Sequence, residues 1–203
     1  MMKTYLIQQK ITPLVNQYAI YEAGPNDEPG AMVGFAQQKR FSFKEKFIVY
    51  SDDSKQTEVF SIQARQVLDF GARYDVSDAS GALLGTIGKD FKSSLLRSTW
   101  FIYQPGQEQS PALVVQERNK NVAIVRRIWG FLPYISDIPF FVKYHFDFTD
   151  PATQQVVASY QKTTTIRDHY RLTIQENASN SGSKVDSRVL IALGVMLDAL
   201  QSR

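Results

Sequence analysis

The sequence ends in VDSRVLIALGVMLDALQSR, residues Val185 to Arg203, and this stretch decides the fold. Between Arg188 and Asp198 every residue is apolar or small, and a helical step of 100° per residue places these side chains on all sides of the axis. A helix that is apolar all round lies either inside a large core or inside a bilayer. The run is far shorter than the roughly 20 residues that a membrane span needs. The pattern therefore predicts a helix over 185–201 that is buried in the protein's own core.

A repeat upstream of this helix predicts what surrounds it. Short runs of aromatic and β-branched residues are separated by acidic or glycine-containing turns, which is typical of β-hairpins. The pattern is clearest in QYAIYEAGPNDEPG (17–30), KFIVYSDDSKQ (46–56) and RYDVSDASG (73–81), each followed by a longer strand-like run. Aromatic residues head the repeats at fairly even spacing, apart from one stretched interval: Tyr18, Phe47, Tyr74, Trp100, Tyr144 and Tyr170. These leading strands and their return strands predict about twelve strands in all.

The strand count favours a closed barrel. About twelve antiparallel strands either split into two sheets or curl round, and closure removes the exposed edges. Side chains alone fill a barrel of roughly eight strands, whereas twelve leave a wider interior. We therefore predict a mainly β fold, a closed antiparallel barrel of about twelve strands in a single domain over residues 1–203, around the hydrophobic helix at 185–201. Such a helix occupies the space in which a lipocalin-like carrier would hold its ligand.

Composition narrows the classes of function. The chain has 203 residues, with 23 Lys and Arg against 20 Asp and Glu, a net charge of +3. This charge is too small to predict nucleic-acid binding, although it does not oppose an anionic membrane surface. The absence of cysteine excludes disulfides, thiolate metal sites and cysteine nucleophiles. The start MMKTYLIQQKI is typical of a strand and not of a secretion peptide, so we expect a cytoplasmic protein, peripheral at the inner membrane surface if it binds membranes, without a transmembrane segment.

Three features together carry a resemblance to a known family. The repeated aromatic strand with its acidic turn (KFIVYSDDSKQTEVFSIQARQ), the strand DHYRLTIQE (168–176) and the final LIALGVMLDAL (190–200) resemble the LURP-one-related family of the tubby-like and phospholipid-scramblase barrel superfamily. The resemblance implies a twelve-stranded barrel around a C-terminal helix, and tubby-like relatives bind phosphoinositides through basic surface side chains. Scramblase relatives are membrane-anchored, but this chain lacks the cysteines that are acylated there. For the LURP-one-related branch itself, the resemblance implies no defined molecular activity.

Basic residues near the return strands are the candidates for a head-group site. If they converge on one face of the barrel, Arg offers bidentate contacts to phosphate and Lys offers point charges. The alternative is that they are solvated, since strand edges are often protected by Lys regardless of function. The candidates are Lys39, Arg40, Lys44, Lys46, Arg126 and Arg127.

The segment IWGFLPYISDIPFFVKYHF, residues 128–146, is unusually aromatic and contains Pro133 and Pro139. One interpretation is that it caps one end of the barrel, because large exposed apolar patches are rare on monomers. The other is an interface for a protein partner, a second copy or a head-group layer. The interface candidates are Trp129, Phe131, Tyr134, Phe140 and Phe141.

No residue cluster predicts catalysis, and we expect a protein that is not an enzyme and needs no metal or cofactor. His145 and His169 each stand beside an aromatic residue and lack partners at a metal-binding spacing. The acidic segments around Asp52 and Asp78 match ordinary turns better than cation loops. The sequence therefore predicts a binding or scaffolding module, whose partners are anionic phospholipid head groups or, alternatively, a protein that docks on 128–146.

Overall fold

The computed structural model describes residues 2–11, 15–39, 46–65, 73–90, 98–119, 145–164, 169–175 and 185–201. Within these ranges the chain forms twelve β-strands followed by one α-helix. The strands are β1 (Met2–Ile11), β2 (Val15–Ala23), β3 (Pro29–Lys39), β4 (Phe47–Tyr50), β5 (Glu58–Ala64), β6 (Arg73–Asp78), β7 (Leu83–Asp90), β8 (Thr99–Tyr103), β9 (Leu113–Glu117), β10 (His145–Thr149), β11 (Val156–Lys162) and β12 (His169–Gln175), and the helix is α1 (Ser187–Gln201).

The strands close into an antiparallel barrel. Each strand pairs with its neighbours in sequence, and β1 pairs with β12 to complete the ring. The closing ladder runs from Met2 opposite Gln175 to Gln8 opposite His169. The predicted fold class, a closed barrel of about twelve strands, is confirmed.

Five of the six aromatic residues that head the sequence repeats lie on even-numbered strands. Because side chains alternate between the two faces of a strand, every second residue enters the interior. Tyr18, Phe47, Trp100 and Tyr170 are buried in one hydrophobic cluster with the helix, and Tyr74 packs against that cluster. Tyr144 lies outside the described residues.

The helix α1 occupies the interior of the barrel. Every residue from Val189 to Leu197 is buried. The helix contacts strands on different sides of the barrel. Val189 lies against Gly85 of β7, and Gly194 lies against Tyr160 of β11 and Ile7 of β1. The prediction of a central buried helix is therefore confirmed.

The helix begins with a side-chain cap. The backbone N–H of Arg188 donates to Asp186 Oδ1 at 2.8 Å, so Asp186 satisfies one of the donors that a helix leaves unpaired at its start. The Arg188 guanidinium donates to the same carboxylate through Nε and Nη2, at 3.0 and 2.8 Å. Because of these bonds, the pKa of Asp186 lies below its ordinary value.

The two ends of the barrel differ. At the first, which we call the turn end, compact turns at 24–28, 51–57, 79–82, 104–112 and 150–155 join successive strands. Two of the predicted acidic turns lie here and are turns, as expected. Asp52 Oδ1 accepts the Ser54 N–H at 2.9 Å, and Asp78 Oδ1 accepts the Ser80 and Ala82 N–H groups at 2.9 and 3.0 Å. Hydrogen bonds from Ser54 and from Ser80 lower the pKa values of these two carboxyls.

At the opposite end, which we call the basic end, the strands stop at Ile11, Lys39, Ala64, Asp90, Glu117 and Lys162 and resume at Val15, Phe47, Arg73, Thr99, His145 and His169. The C-terminal part of α1 points toward this end, because Asp198 contacts Tyr18 and Tyr170 near the starts of β2 and β12. The N-terminus of α1 therefore faces the turn end.

Candidate functional site

Two of the six predicted head-group residues lie within the described residues, and both lie at the basic end. Lys39 is the last residue of β3. Lys46 directly precedes β4 and is exposed, with Nζ 3.1 Å from Glu58 Oε1. Arg40, Lys44, Arg126 and Arg127 lie outside the described residues, so their convergence stays a prediction. The interface candidates also lie outside them: Trp129, Phe131, Tyr134, Phe140 and Phe141.

Basic residues are concentrated where the strands stop and start at the basic end. Those on or next to a described strand terminus are Lys10, Lys39, Lys46, Arg65, Arg73, Lys89, Arg118 and Lys162. The described carboxylates nearest this end are fewer: Asp75, Asp90, Glu117 and Asp147, of which Glu117 is fully buried. The described cations at the basic end therefore outnumber the described carboxylates there.

The turn end has the opposite charge. Its described carboxylates are Glu22, Asp27, Glu28, Asp52, Asp53, Glu58, Asp78, Glu108, Asp150 and Asp186, against the cations Lys3, Lys55, Arg188 and Arg171, which pairs with Asp27. The helix dipole follows the same axis, with its positive N-terminus toward the acidic turns and its negative C-terminus toward the basic end. The described carboxylates therefore predominate at the turn end and the described cations at the basic end, although ion pairs such as Lys46–Glu58 and Arg65–Glu108 join the two groups and the net charge of the chain is only +3.

Cations at the basic end are held in different ways. Lys89 Nζ lies 5.2 Å from the centroid of the Trp100 ring. Arg118 forms a bidentate pair with Asp147, at 2.8 and 2.6 Å, which raises its pKa. Lys10 is exposed at the end of β1. An exposed cation at this end, such as Lys10, can contact an anionic surface.

Arg65 and Arg73 form a separate ionic cluster on the wall of the barrel. Both guanidinium groups donate to the carboxylate of Glu108, which belongs to the turn between β8 and β9. Arg65 also donates to Asp75, and the Thr86 hydroxyl donates to Asp75 Oδ1 at 2.9 Å. Sequence reasoning missed this cluster, because its members are far apart in the chain and meet only through strand register.

A buried polar cluster surrounds the C-terminal part of α1. Asp198 is 2% exposed, and its carboxylate accepts hydrogen bonds from the Tyr18 hydroxyl at 3.0 Å and from the Tyr170 hydroxyl. Gln9 Nε2 donates to the Tyr18 oxygen at 3.1 Å. Sequence reasoning treated Asp198 only as the end of the apolar run. The signal was present, since a single carboxylate on a helix buried all round requires partners inside the core.

The two histidines lie at the starts of strands. His145 is the first residue of β10 and His169 the first residue of β12. Within the described ranges, no group of three or more His, Asp or Glu residues is arranged to hold a metal ion. No helix in the same part of the chain has the length and hydropathy that a bilayer crossing requires.

Comparison with known families agrees with this architecture. The family model described as LURP-one-related matches residues 32–198, from within β3 to Asp198 of the central helix. The chain belongs to the LURP-one-related family. The twelve-stranded barrel with its central helix is consistent with the tubby-like superfamily that the sequence features indicated. A search of curated proteins finds no match for this LURP-one-related chain.

Proposed function

We propose that this LURP-one-related barrel is a non-enzymatic binding module that docks its basic end on anionic phospholipid membranes. The observation that carries the proposal is the segregation of charge between the two ends. A uniformly mixed surface of the same net charge would have no preferred orientation on a charged plane. A barrel with one basic and one acidic end is attracted through the basic end and repelled through the acidic end.

The magnitude of the attraction is adequate for reversible binding. Each Lys or Arg near an anionic leaflet contributes about 1 kcal/mol, and the contribution falls off within a Debye length of about 8–10 Å. A few cations at one end therefore give weak docking that depends on salt. Lys10, Lys46 and Lys89 are described cations at that end.

The predicted head-group residues support the same orientation. In sequence, Arg40 and Lys44 fall between β3 and β4, and Arg126 and Arg127 fall between β9 and β10. The flanking strand termini of both intervals lie at the basic end. The aromatic segment 128–146 falls in the second interval, and Trp and Tyr are enriched where membranes meet water. We propose that these residues, which lie outside the described part of the chain, belong to the same contact surface.

The test compares matched charge reversals at the two ends. We expect the wild type to sediment with phosphatidylcholine vesicles that contain phosphatidylserine or a phosphoinositide, and the bound fraction to fall between 50 and 200 mM salt. The variant Lys10→Glu/Lys46→Glu reverses two charges at the basic end and should lose most of this binding. Arg126→Glu/Arg127→Glu should have the same effect.

The control is Lys3→Glu/Lys55→Glu at the turn end. It makes the same change in net charge, and like the Lys46 reversal it breaks one surface ion pair, that of Lys3 with Glu22. We expect the control to retain wild-type binding. Absence of sedimentation at low salt, or a loss of binding in Lys3→Glu/Lys55→Glu equal to that in Lys10→Glu/Lys46→Glu, would refute docking through the basic end.

A further inference from the structure

Two arginines on the barrel wall share one carboxylate. Arg65 donates from Nη1 and Nη2 to Glu108 Oε2 and Oε1, at 2.7 and 2.5 Å. Arg73 donates from Nη1 to Glu108 Oε2 at 2.7 Å. Three N–H donors on two guanidinium groups therefore converge on a single carboxylate, which is the bidentate geometry that arginine offers to planar oxyanions.

Both guanidinium groups are also held by contacts that do not involve Glu108. Arg65 Nε donates to the two oxygens of Asp75 at 2.8 and 2.7 Å, and Nη2 donates to Thr86 Oγ1 at 3.1 Å. The Arg73 guanidinium lies 4.9 Å from the centroid of the Tyr103 ring. If Glu108 moved away, the arginines would keep these supports. Groups held in their binding arrangement in advance lose less entropy when a ligand arrives.

Glu108 itself is attached more loosely to the sheet. It belongs to a turn outside the strands, where the Gln107 N–H donates to Gln104 O at 3.1 Å and Gly106 has a φ of +75°. The side chains of Arg65, Arg73 and Glu108 are 32%, 37% and 34% exposed, so solvent reaches all three. Displacing Glu108 breaks no ladder hydrogen bond between strands.

The charges favour an anionic replacement. With Glu108 in place, the two arginines are balanced by Glu108 and Asp75, and without it one positive charge is uncompensated. Hydrogen bonding from Arg65 lowers the pKa of Glu108, so the resident group is a carboxylate at neutral pH. The two arginines thus already bind a carboxylate, and that carboxylate is the side chain of a Glu in the same chain.

We propose that Arg65 and Arg73 form a binding site for a Glu or Asp side chain of an acidic protein partner, and that the chain's own Glu108 closes this site. A tethered group acts at an effective concentration on the order of millimolar. A partner therefore needs further contacts on the barrel to displace Glu108, which makes the closed site selective. The site lies on the wall, and its recognition requires no lipid.

The test uses the full chain and a peptide copy of the turn. The variant Glu108→Ala removes the resident carboxylate from an exposed turn, and circular dichroism checks that the barrel is folded. The probe is the peptide QPGQEQ, residues 104–109, added in trans while the Arg Nε–H signals are followed by NMR. We expect it to bind Glu108→Ala at least about tenfold more tightly than the wild type, whose tethered Glu108 competes. Both peptides carry a C-terminal amide, so that the Glu side chain is the sole carboxylate of the probe, and amidated QPGQQQ, which lacks that side chain, should not bind.

A matched control separates the site from a general gain of positive charge. Asp147→Ala makes the same charge change and frees the single guanidinium of Arg118, which is paired with Asp147 alone among the bonds described for it. This variant, and Arg65→Gln/Glu108→Ala, should fail to bind QPGQEQ. Equal binding by Asp147→Ala, equal binding of the two peptides, or tighter binding of inorganic phosphate than of QPGQEQ to Glu108→Ala would overturn the proposal. Loss of vesicle binding leaves these outcomes unchanged, so the two proposals fail independently.

Discussion

At the scale of single residues, Asp198 is a carboxylate buried in the core, and it therefore requires hydrogen-bond donors there. Its carboxylate accepts from the hydroxyls of Tyr18 and Tyr170, which belong to strands on either side of β1. We expect Asp198→Ala to lower the free energy of unfolding by about 3 kcal/mol, because two buried hydroxyls lose an acceptor. Asp198→Asn keeps the shape and one acceptor and should cost about 1 kcal/mol. Urea unfolding, followed by tryptophan fluorescence, measures both.

The control for this prediction is the exposed turn residue Asp53. Asp53→Ala should change the free energy of unfolding by less than about 0.5 kcal/mol. Tyr170→Phe should also be destabilising in the wild type but nearly neutral in Asp198→Ala, because residues in one hydrogen-bonded cluster are not additive. A cost for Asp198→Ala as small as that of Asp53→Ala would show that the cluster does not stabilise the barrel.

Asp186 gives a prediction about pH at the start of the helix. Its pKa is lowered below 3.8 in the folded state by the Arg188 side chain. A carboxyl with a depressed folded pKa stabilises the protein above its unfolded pKa, and this stabilisation is lost as the pH falls through the folded value. Asn caps a helix about as well as Asp, so Asp186→Asn removes mainly the charge.

The stability advantage of the wild type over Asp186→Asn should therefore be full above about pH 5 and shrink below pH 3.8. Urea titrations at several pH values measure the difference. Arg188→Gln removes the partner and should flatten the pH dependence in the same way. If the stability advantage of the wild type grew as the pH fell, the Asp186 carboxylate would not stabilise the folded state as we infer.

At the scale of elements, the fit of α1 inside the barrel depends on Gly194. A Cβ at this position would lie 3.0 Å from Tyr160 Cε2 and 3.3 Å from Ile7 Cδ1. The Tyr160 ring is itself stacked on Tyr170, with centroids 5.1 Å apart, so it has little room to move. We expect Gly194→Ala to destabilise the protein by about 1–3 kcal/mol through overpacking.

The comparison with Ala192→Gly makes this prediction specific to packing. Intrinsic helix propensity alone would make Gly194→Ala stabilising and Ala192→Gly destabilising, each by about 1 kcal/mol. If packing dominates at Gly194, thermal or urea unfolding will show both variants to be less stable than the wild type. A more stable Gly194→Ala would mean that the helix is not tightly enclosed.

The elements also show why some features could be predicted from the sequence and others could not. Strand alternation and the apolar residues on all sides of the helix are local patterns. The sequence around Tyr18, Trp100 and 189–197 was therefore enough to predict the barrel and its central helix. The ionic cluster of Arg65 and Glu108 depends on the register of several strands and on a turn, which no local pattern encodes. The head-group candidates were chosen by charge alone, and Lys46 proves to be paired with Glu58.

At the scale of the whole molecule, closure depends on a strand that the family match does not include. The match begins at residue 32, whereas β1 covers Met2–Ile11 and pairs with both β2 and β12. Ile7 of this strand also packs against the central helix. Removal of β1 would leave two long unpaired edges, and such edges pair with other chains.

We therefore expect a chain that begins at Val15 to form oligomers or aggregates on size-exclusion chromatography. A peptide of residues 2–11 added in trans should restore the elution volume of the full chain, because it can supply the missing strand to both edges. A chain that begins at Lys3 lacks Met1 and the exposed Met2 at the strand's start and serves as the control. If the chain without β1 elutes like the full chain and unfolds at the same urea concentration, the ring does not need β1, and the enclosure of the helix must come from the remaining strands alone.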